Sequence, residues 1–417
     1  MNFSRPSLPR FAAALAILAL TTAAHAIGRY NIVDFAPPGT PFDRTGTADD
    51  SAALAAVITA ANVATAKGDP ACVYLPAGTY RIVTPPPAFI RAGCVQGDGP
   101  TQTFIHLDPA FAGDLFAWSE AWAVTTPGPV ITGLHIEGSR SAPALQNAFV
   151  FYDRNDQVFM DNVEVMHLHG RALYSGVLKH TTQSYMRESH LRSLRFFEDG
   201  APGIPVVEFN SQGTTVVPPH SDVRKHPDGT NEIRVDDMDI FGPYGPGVVI
   251  RNNSTGAVRT ITFNALRIEG WQNLDTHGDL LTIGDPSMHG TVNNIYFTNL
   301  ELIDPAQGYA AMRLTAPSAA EEPYQIKVDG EIGGGIPRGQ GLRIDAGRHS
   351  TFRFIAMHTF DTNVVVGPHA VGIVLDGGGQ ESAWSYSIDP SSRSNVFAPA
   401  LHVIEPAPPK PAPQPRP

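Results

Sequence analysis

The chain has 417 residues, of which 42% are hydrophobic and only 17% charged, and its net charge is −11. That acidic balance excludes nucleic acid as a main partner, because neutralising phosphates needs clustered Lys and Arg. The length exceeds that of a small disulfide scaffold, and 39 glycines with 37 prolines favour strands and turns over helices.

The first 26 residues, MNFSRPSLPRFAAALAILALTTAAHA, carry Arg5 and Arg10, an apolar run from Phe11 to Leu20, and Ala24-His25-Ala26 as a small-x-small cleavage site. They predict a secretory signal over 1–26. The run is far short of the roughly 20 apolar residues that span a bilayer, and no later segment qualifies. The expectation is an exported protein, periplasmic or secreted, with no membrane association. Loss of the two signal arginines takes the net charge from −11 to −13.

Next comes TGTADDSAALAAVITAANVATAKG, from Thr45 to Gly68. Thr47 with Asp50 three residues on gives a capping-box signal, Leu54, Val57, Ile58 and Ala61 share one helical face, and Lys67-Gly68 gives a stop. The expected helix runs from about Asp50 to Ala66. Cys72 and Cys94 are the two cysteines, and in an exported chain they predict a disulfide worth a few kcal/mol. Their spacing leaves two buried thiols as the alternative.

Beyond the cysteines the chain repeats. The stretches VITGLHIEG, FMDNVEVMH, YMRESHLRS, RVDDMDIFG, TFNALRIEG, YFTNLELID and KVDGEIGGG align, with Ile131, Met160, Met186, Val235, Phe263, Phe297 and Val328 as leading core residues. A second motif follows each: NAFVFYD, RALYSGV, IPVVEFN, PGVVIRN, DLLTIGD, AAMRLTA, QGLRIDA and AVGIVLD. With one longer exception the period is about 26 to 34 residues, as short strands joined by tight turns in a parallel β-helix require. Each rung presents a few apolar side chains inward and must stack on the next to bury them. Glycine and asparagine at the corners permit positive φ. The expected fold is all-β, a single-stranded parallel β-helix over 27–404, with the early helix covering its open end. From Glu405 the chain reads EPAPPKPAPQPRP, an extended Pro-rich tail over 405–417.

The order VDFAPPGTPFDRTGTADDSAALAAVITAAN, then ACVYLPAGTYRI, then GCVQGDGPTQTFIHL resembles the opening of the pectate-lyase-like, glycosyl-hydrolase-family-28-related β-helix proteins, over about residues 31 to 107. The resemblance implies a right-handed β-helix and a carbohydrate ligand. It does not choose a reaction, because lyases, hydrolases, epimerases and tailspikes share this opening. Three of the four polygalacturonase motifs, Asn-Thr-Asp, Gly-His-Gly and Arg-Ile-Lys, are absent. So are the Trp-x-Asp-His and Arg-x-Pro-x-x-Arg signatures of pectate lyases. Asp236-Asp237 is present and reads as a pair of solvated turn carboxylates.

The substrate groove of such enzymes runs along the second motif. Alternation sends Tyr174, Glu208, Val249, Thr282, Arg313, Arg343 and Val374 outward in one row, with Tyr152, Asn210, Arg251, Thr315, Asp345 and Asp376 in the next. The long connection SQGTTVVPPHSDVRKHPDGTN after VVEFN predicts a loop walling a site at Glu208, Asn210 and Arg251. Loops entering the same strands add His167, His169, Glu198, Asp199, Tyr244, Asp275, His277 and Asp279. The catalytic candidates are Glu208, Arg251, His277 and Tyr174. Asn210, Arg313, Arg343, Asp345 and Tyr152 are the substrate-binding candidates.

A lyase acting on a uronic-acid polysaccharide needs a cation or Ca²⁺ at the carboxylate, a base for the C5 proton and an acid at the leaving oxygen. The arginines favour that reaction, with Arg251 on the carboxylate, His277 or Tyr174 exchanging the proton and Glu208 as acid. Ca²⁺ is the one cofactor this chemistry could call on, and none is required by a sequence motif. A glycoside hydrolase, using Glu208 with a second carboxylate, is the alternative reaction. A carbohydrate-binding, tailspike or adhesin-like protein is the alternative without catalysis. Nothing in the sequence fixes the oligomeric state.

Overall fold

The computed structural model describes residues 28–39, 42–90, 93–121, 128–213, 228–271, 276–334, 339–357, 360–376 and 385–397. The expected signal over 1–26, the expected tail over 405–417, Asp275 and most of the long connection after Glu208 lie outside these residues. The described residues hold 29 strands in one sheet, nearly all parallel, each hydrogen-bonded to the strand one turn of chain away. This is a right-handed parallel β-helix.

Each rung contributes to three faces. On the first, Ile131, Met160, Leu191, Val235, Phe263, Phe297, Val328 and Phe352 stand in register and point inward. Met186, expected in this row, is buried one face earlier, and Leu191 takes its place. The neighbouring rung fixes this: His190-Leu191-Arg192 and not Met186 lies opposite Met160. The chain then bends on one residue with positive φ, namely Gly133, Asn162, Ser193, Asp237, Ala265 or Asn299, and starts the second face. A single left-handed residue turns the strand without a loop, which explains the Gly and Asn at these corners.

The third face is the second motif. Phe149, Leu173, Val207, Val248, Leu281, Met312 and Leu342 stack inward in register. The next rung here is Val364–Val366. AVGIVLD therefore does not continue this face: Val374 and Asp376 pair with Thr351 and Arg353 on the first face. Its apolar alternation matched the motif, but the turn before it had already been made. Rings stack at rung spacing inside the helix, as in Phe263 on Phe297 at 4.8 Å and Phe89 on Trp118 at 5.2 Å.

The amphipathic helix, α1 (Ser51–Ala66), covers the N-terminal end, touching the strands Gly28–Asn31, Ala71–Leu75 and Phe89–Ile90. Leu54, Val57 and Ile58 are fully buried there. Its end follows the expected stop: Gly68 has φ +93°, and the Asp69 and Gly68 N–H groups donate to Ala64 and Thr65 carbonyls at 3.1 and 3.0 Å. The capping box does not form. Thr47 lies in the strand Thr45–Asp49, and the Asp50 carboxylate instead accepts from the Asp43 and Arg81 backbone N–H groups at 3.3 and 3.2 Å. Cys72 and Cys94 face each other on adjacent rungs and form the disulfide.

Candidate functional site

On the third face Tyr174, Glu208, Val249, Thr282, Arg313 and Arg343 stand opposite one another rung by rung, and Val365 follows. The row is not uniformly open. Glu208 is fully buried beneath its neighbours. One carboxylate oxygen accepts from Arg171 Nε at 2.8 Å. The other accepts from Arg251 Nε at 2.8 Å and Nη2 at 2.5 Å. The far side of Arg251 meets Asp285 at 3.2 Å. The Arg171 guanidinium lies 4.1 Å from the Tyr174 ring centroid. Arg171, Tyr174, Glu208, Arg251 and Asp285 thus form one cluster across four rungs.

The electrostatics of the cluster follow from burial and pairing. Burial, reinforced by the charge of Glu208, holds the Tyr174 hydroxyl above the ordinary phenol range. Burial works against the charge on Arg251, but Glu208 and then Asp285 outweigh it and raise its pKa. Burial also works against ionised Asp285, and two bonds from Ser287 with the Arg251 charge overcome it, so its pKa falls.

A second cluster lies further along the face. Arg313 donates from Nε to Asp345 at 2.7 Å and approaches Asp279 at 3.6 Å, while Arg343 Nε holds the other oxygen of Asp345 at 2.8 Å. Burial raises the pKa of Asp279, against a 2.7 Å bond from the Ala310 N–H and the Arg313 charge. Every arginine of the expected groove therefore has a carboxylate partner.

The other candidates fall elsewhere. His277 contacts neither Glu208 nor Arg251 among the described residues. It sits at the corner entering the face, with its ring edge-on to Tyr244 at 5.5 Å. Tyr244 lies 5.0 Å from Arg140, which pairs with Glu198; His167 stands 3.9 Å from Glu198 and 3.6 Å from Glu137. Asp199, from the same loop, is buried and accepts from the Leu168 N–H at 2.8 Å, a structural role. Asn210 is buried, its side-chain oxygen accepting from the Ser211 N–H. The Tyr152 hydroxyl donates to Asp114, and Lys179 covers its ring at 3.9 Å. Asp236 pairs with His190, Arg234 and Asn264 on the first face, a half-buried strand carboxylate and not the solvated turn carboxylate expected, whereas Asp237 is the exposed bend residue, as expected. Among the described residues no three His, Cys, Asp or Glu side chains are grouped to hold a metal ion.

Arg171 and Asp285 were missed by the sequence reading, although one begins RALYSGV and the other ends DLLTIGD. Their signal was the opposite charges standing one rung either side of Glu208 and Arg251.

Residues 31–182 match the family described as rhamnogalacturonase A/epimerase, pectate lyase-like. No curated protein matches the sequence. Among solved structures, the enzymatically active domain of bacteriophage CBA120 tailspike protein 2 superposes with a TM-score of 0.57 at 9% identity, covering 89% of this chain and 52% of that one. The A-module of mannuronan C-5 epimerase AlgE6 from Azotobacter vinelandii gives 0.45 at 15% identity, over 89% of this chain and 99% of that one. PfbA, a surface adhesin of Streptococcus pneumoniae, gives 0.49 at 12% identity, over 88% and 91%. The likeness is one of fold.

Proposed function

We propose that this chain is an exported enzyme that cleaves an acidic polysaccharide by β-elimination on the third face of the β-helix. The observation that carries the reading is the cluster in which one buried carboxylate, Glu208, fixes two guanidinium groups beside the Tyr174 hydroxyl. The terminal nitrogens of Arg171 have no other partner among the described residues and can meet a uronate carboxylate, which lowers the cost of removing the C5 proton. Tyr174, kept protonated by its surroundings, gives its proton to the leaving glycosidic oxygen while the C5 proton passes to a water molecule. The C5–H electron pair becomes the C4–C5 double bond as the C4–O bond breaks, and that water returns a proton to Tyr174. Glu208 is a positioning residue in this scheme: both its oxygens are occupied and none of it reaches solvent, so it does not serve as the acid. The match of residues 31–182 to a family of carbohydrate enzymes supports the ligand class. The signal-like sequence over 1–26 and the Cys72–Cys94 bridge support export to an oxidising compartment.

A glycoside hydrolase is favoured by a different observation. Asp279 and Asp345 flank Arg313 at 3.6 and 2.7 Å, and burial raises the pKa of Asp279, as suits a general acid. Two carboxylates in different environments on one face are what such a hydrolase needs. Variants separate the readings. Tyr174→Phe should lower turnover at saturating substrate by about 10²-fold or more while Asp345→Asn leaves it within about threefold. The reverse pattern would sink the elimination scheme and favour hydrolysis.

A further inference from the structure

The first face carries a feature that the third-face groove does not use. The rung Lys327–Gly333 is one residue shorter at its bend than the rung before it: Thr298 pairs with Asp329 and Leu300 with Gly330, leaving Asn299 without a counterpart. Gly330 accommodates the shortcut, since a Cβ there would lie 2.2 Å from the Leu300 carbonyl oxygen. Beside this bend an open cleft of about 490 Å³ is lined by Tyr296, Thr298, Lys327, Asp329, Thr351 and Arg353, with the edges of Phe297 and Val328 at its base.

The charges in this cleft differ from those around them. Elsewhere on the face cations are paired, Arg234 with Asp236 at 2.7 Å and Arg192 with Asp161 at 2.8 Å. Among the described residues Lys327, Asp329 and Arg353 are exposed and form no ion pair, and Asp376, opposite Arg353 on the next rung, forms none either. Lys327 stands 5.6 Å from the Tyr296 ring. The register sets Tyr296, Lys327 and Thr351 in one row and Thr298, Asp329 and Arg353 in the next. Lys327 and Arg353 are diagonal neighbours, roughly 7–8 Å apart at the backbone, so both heads can reach one carboxylate.

We propose that this cleft is a second carbohydrate site, which holds one carboxylated sugar residue with its carboxylate between Lys327 and Arg353 and its ring against Tyr296. Two charge-assisted bonds fix the carboxylate, the aromatic face takes the apolar side of the ring, and Thr298, Thr351 and Asp329 remain for hydroxyl groups. The site lies on a different face from the proposed catalytic cluster and does not depend on that reading.

The test is calorimetric titration of the full chain with trigalacturonate, alongside a neutral trisaccharide. The double variant Lys327→Ala with Arg353→Ala, both exposed, should keep the wild-type melting temperature and its turnover on a short substrate, yet lose one binding event or about tenfold in its affinity. Tyr296→Ala should weaken the same event. In an Arg171→Ala chain that event should persist, so a failed third-face groove and a failed first-face cleft give different titrations. Equal binding by wild type and double variant, no binding by wild type, or equal uptake of the neutral sugar would overturn the proposal.

Discussion

Replacing Glu208 by alanine would leave two guanidinium groups without the carboxylate that holds them. Removing one partner of a buried ion pair typically costs about 3–5 kcal/mol, because a desolvated charge is left uncompensated. Arg171 is the worse placed: its side chain is 12% exposed, and Glu208 is its only ion-pair partner among the described residues. Arg251 is 23% exposed and keeps Asp285 at 3.2 Å, which offsets part of the loss. The expected penalty is therefore at the lower end, about 3 kcal/mol. Asp345→Ala is the control, since Arg313 and Arg343 are about a third exposed and water can replace the carboxylate. It should cost less than about 1 kcal/mol. Urea denaturation followed by far-ultraviolet circular dichroism measures both, with a Glu208–Arg251 double-mutant cycle to isolate the pair. If Glu208→Ala and Asp345→Ala cost the same, the clamp is an ordinary surface network and the positioning argument fails.

Three further outcomes follow from the fold. Leu54→Asp with Ile58→Asp places two charges in the apolar contact under α1 and should lower stability by several kcal/mol; a melt like wild type would show that α1 is not the cap. Burial lifts Asp50 from 3.8 to about 6, so its contribution is present below about pH 4 and lost as pH rises through 6. The stability of wild type relative to Asp50→Asn should then fall by on the order of 2 kcal/mol between pH 4 and 7, and a flat difference would contradict the assignment. Replacing Cys72 and Cys94 together by alanine should cost about 3 kcal/mol, because the bridge closes a separation of 22 residues; an unchanged urea midpoint would mean that the bridge does not form in solution.

Much of the architecture was readable because a β-helix repeats its own constraints. Period-2 alternation and rung spacing were enough to set Tyr174, Glu208, Val249, Thr282, Arg313 and Arg343 opposite one another. Where local pattern and rung count disagreed, the pattern misled. Met186 and Val374 both sit in apolar, strand-like stretches, but stacking on the neighbouring rung assigns them elsewhere. Thr47 satisfied the spacing of a capping box while its backbone was already committed to a strand. At the site, alternation tells which residues face away from the core but not which are then covered. Glu208 points outward and is buried by Arg171 and Arg251 reaching across rungs, a contact between side chains some 40 residues apart in sequence. His277 was placed with Glu208 by counting rungs, and distance along the strand, which rung counting ignores, separates them.

The central claim is a reaction on the third face, and its products decide it. Wild-type protein incubated with a panel of acidic and neutral polysaccharides, followed at about 235 nm alongside new reducing ends, should give both signals together on a uronic-acid polymer, because elimination leaves an unsaturated sugar at each new end. Reducing ends without absorbance would replace elimination by hydrolysis at Asp279 and Asp345. Retention of a polysaccharide with neither signal would make the third face a binding surface and contradict catalysis there.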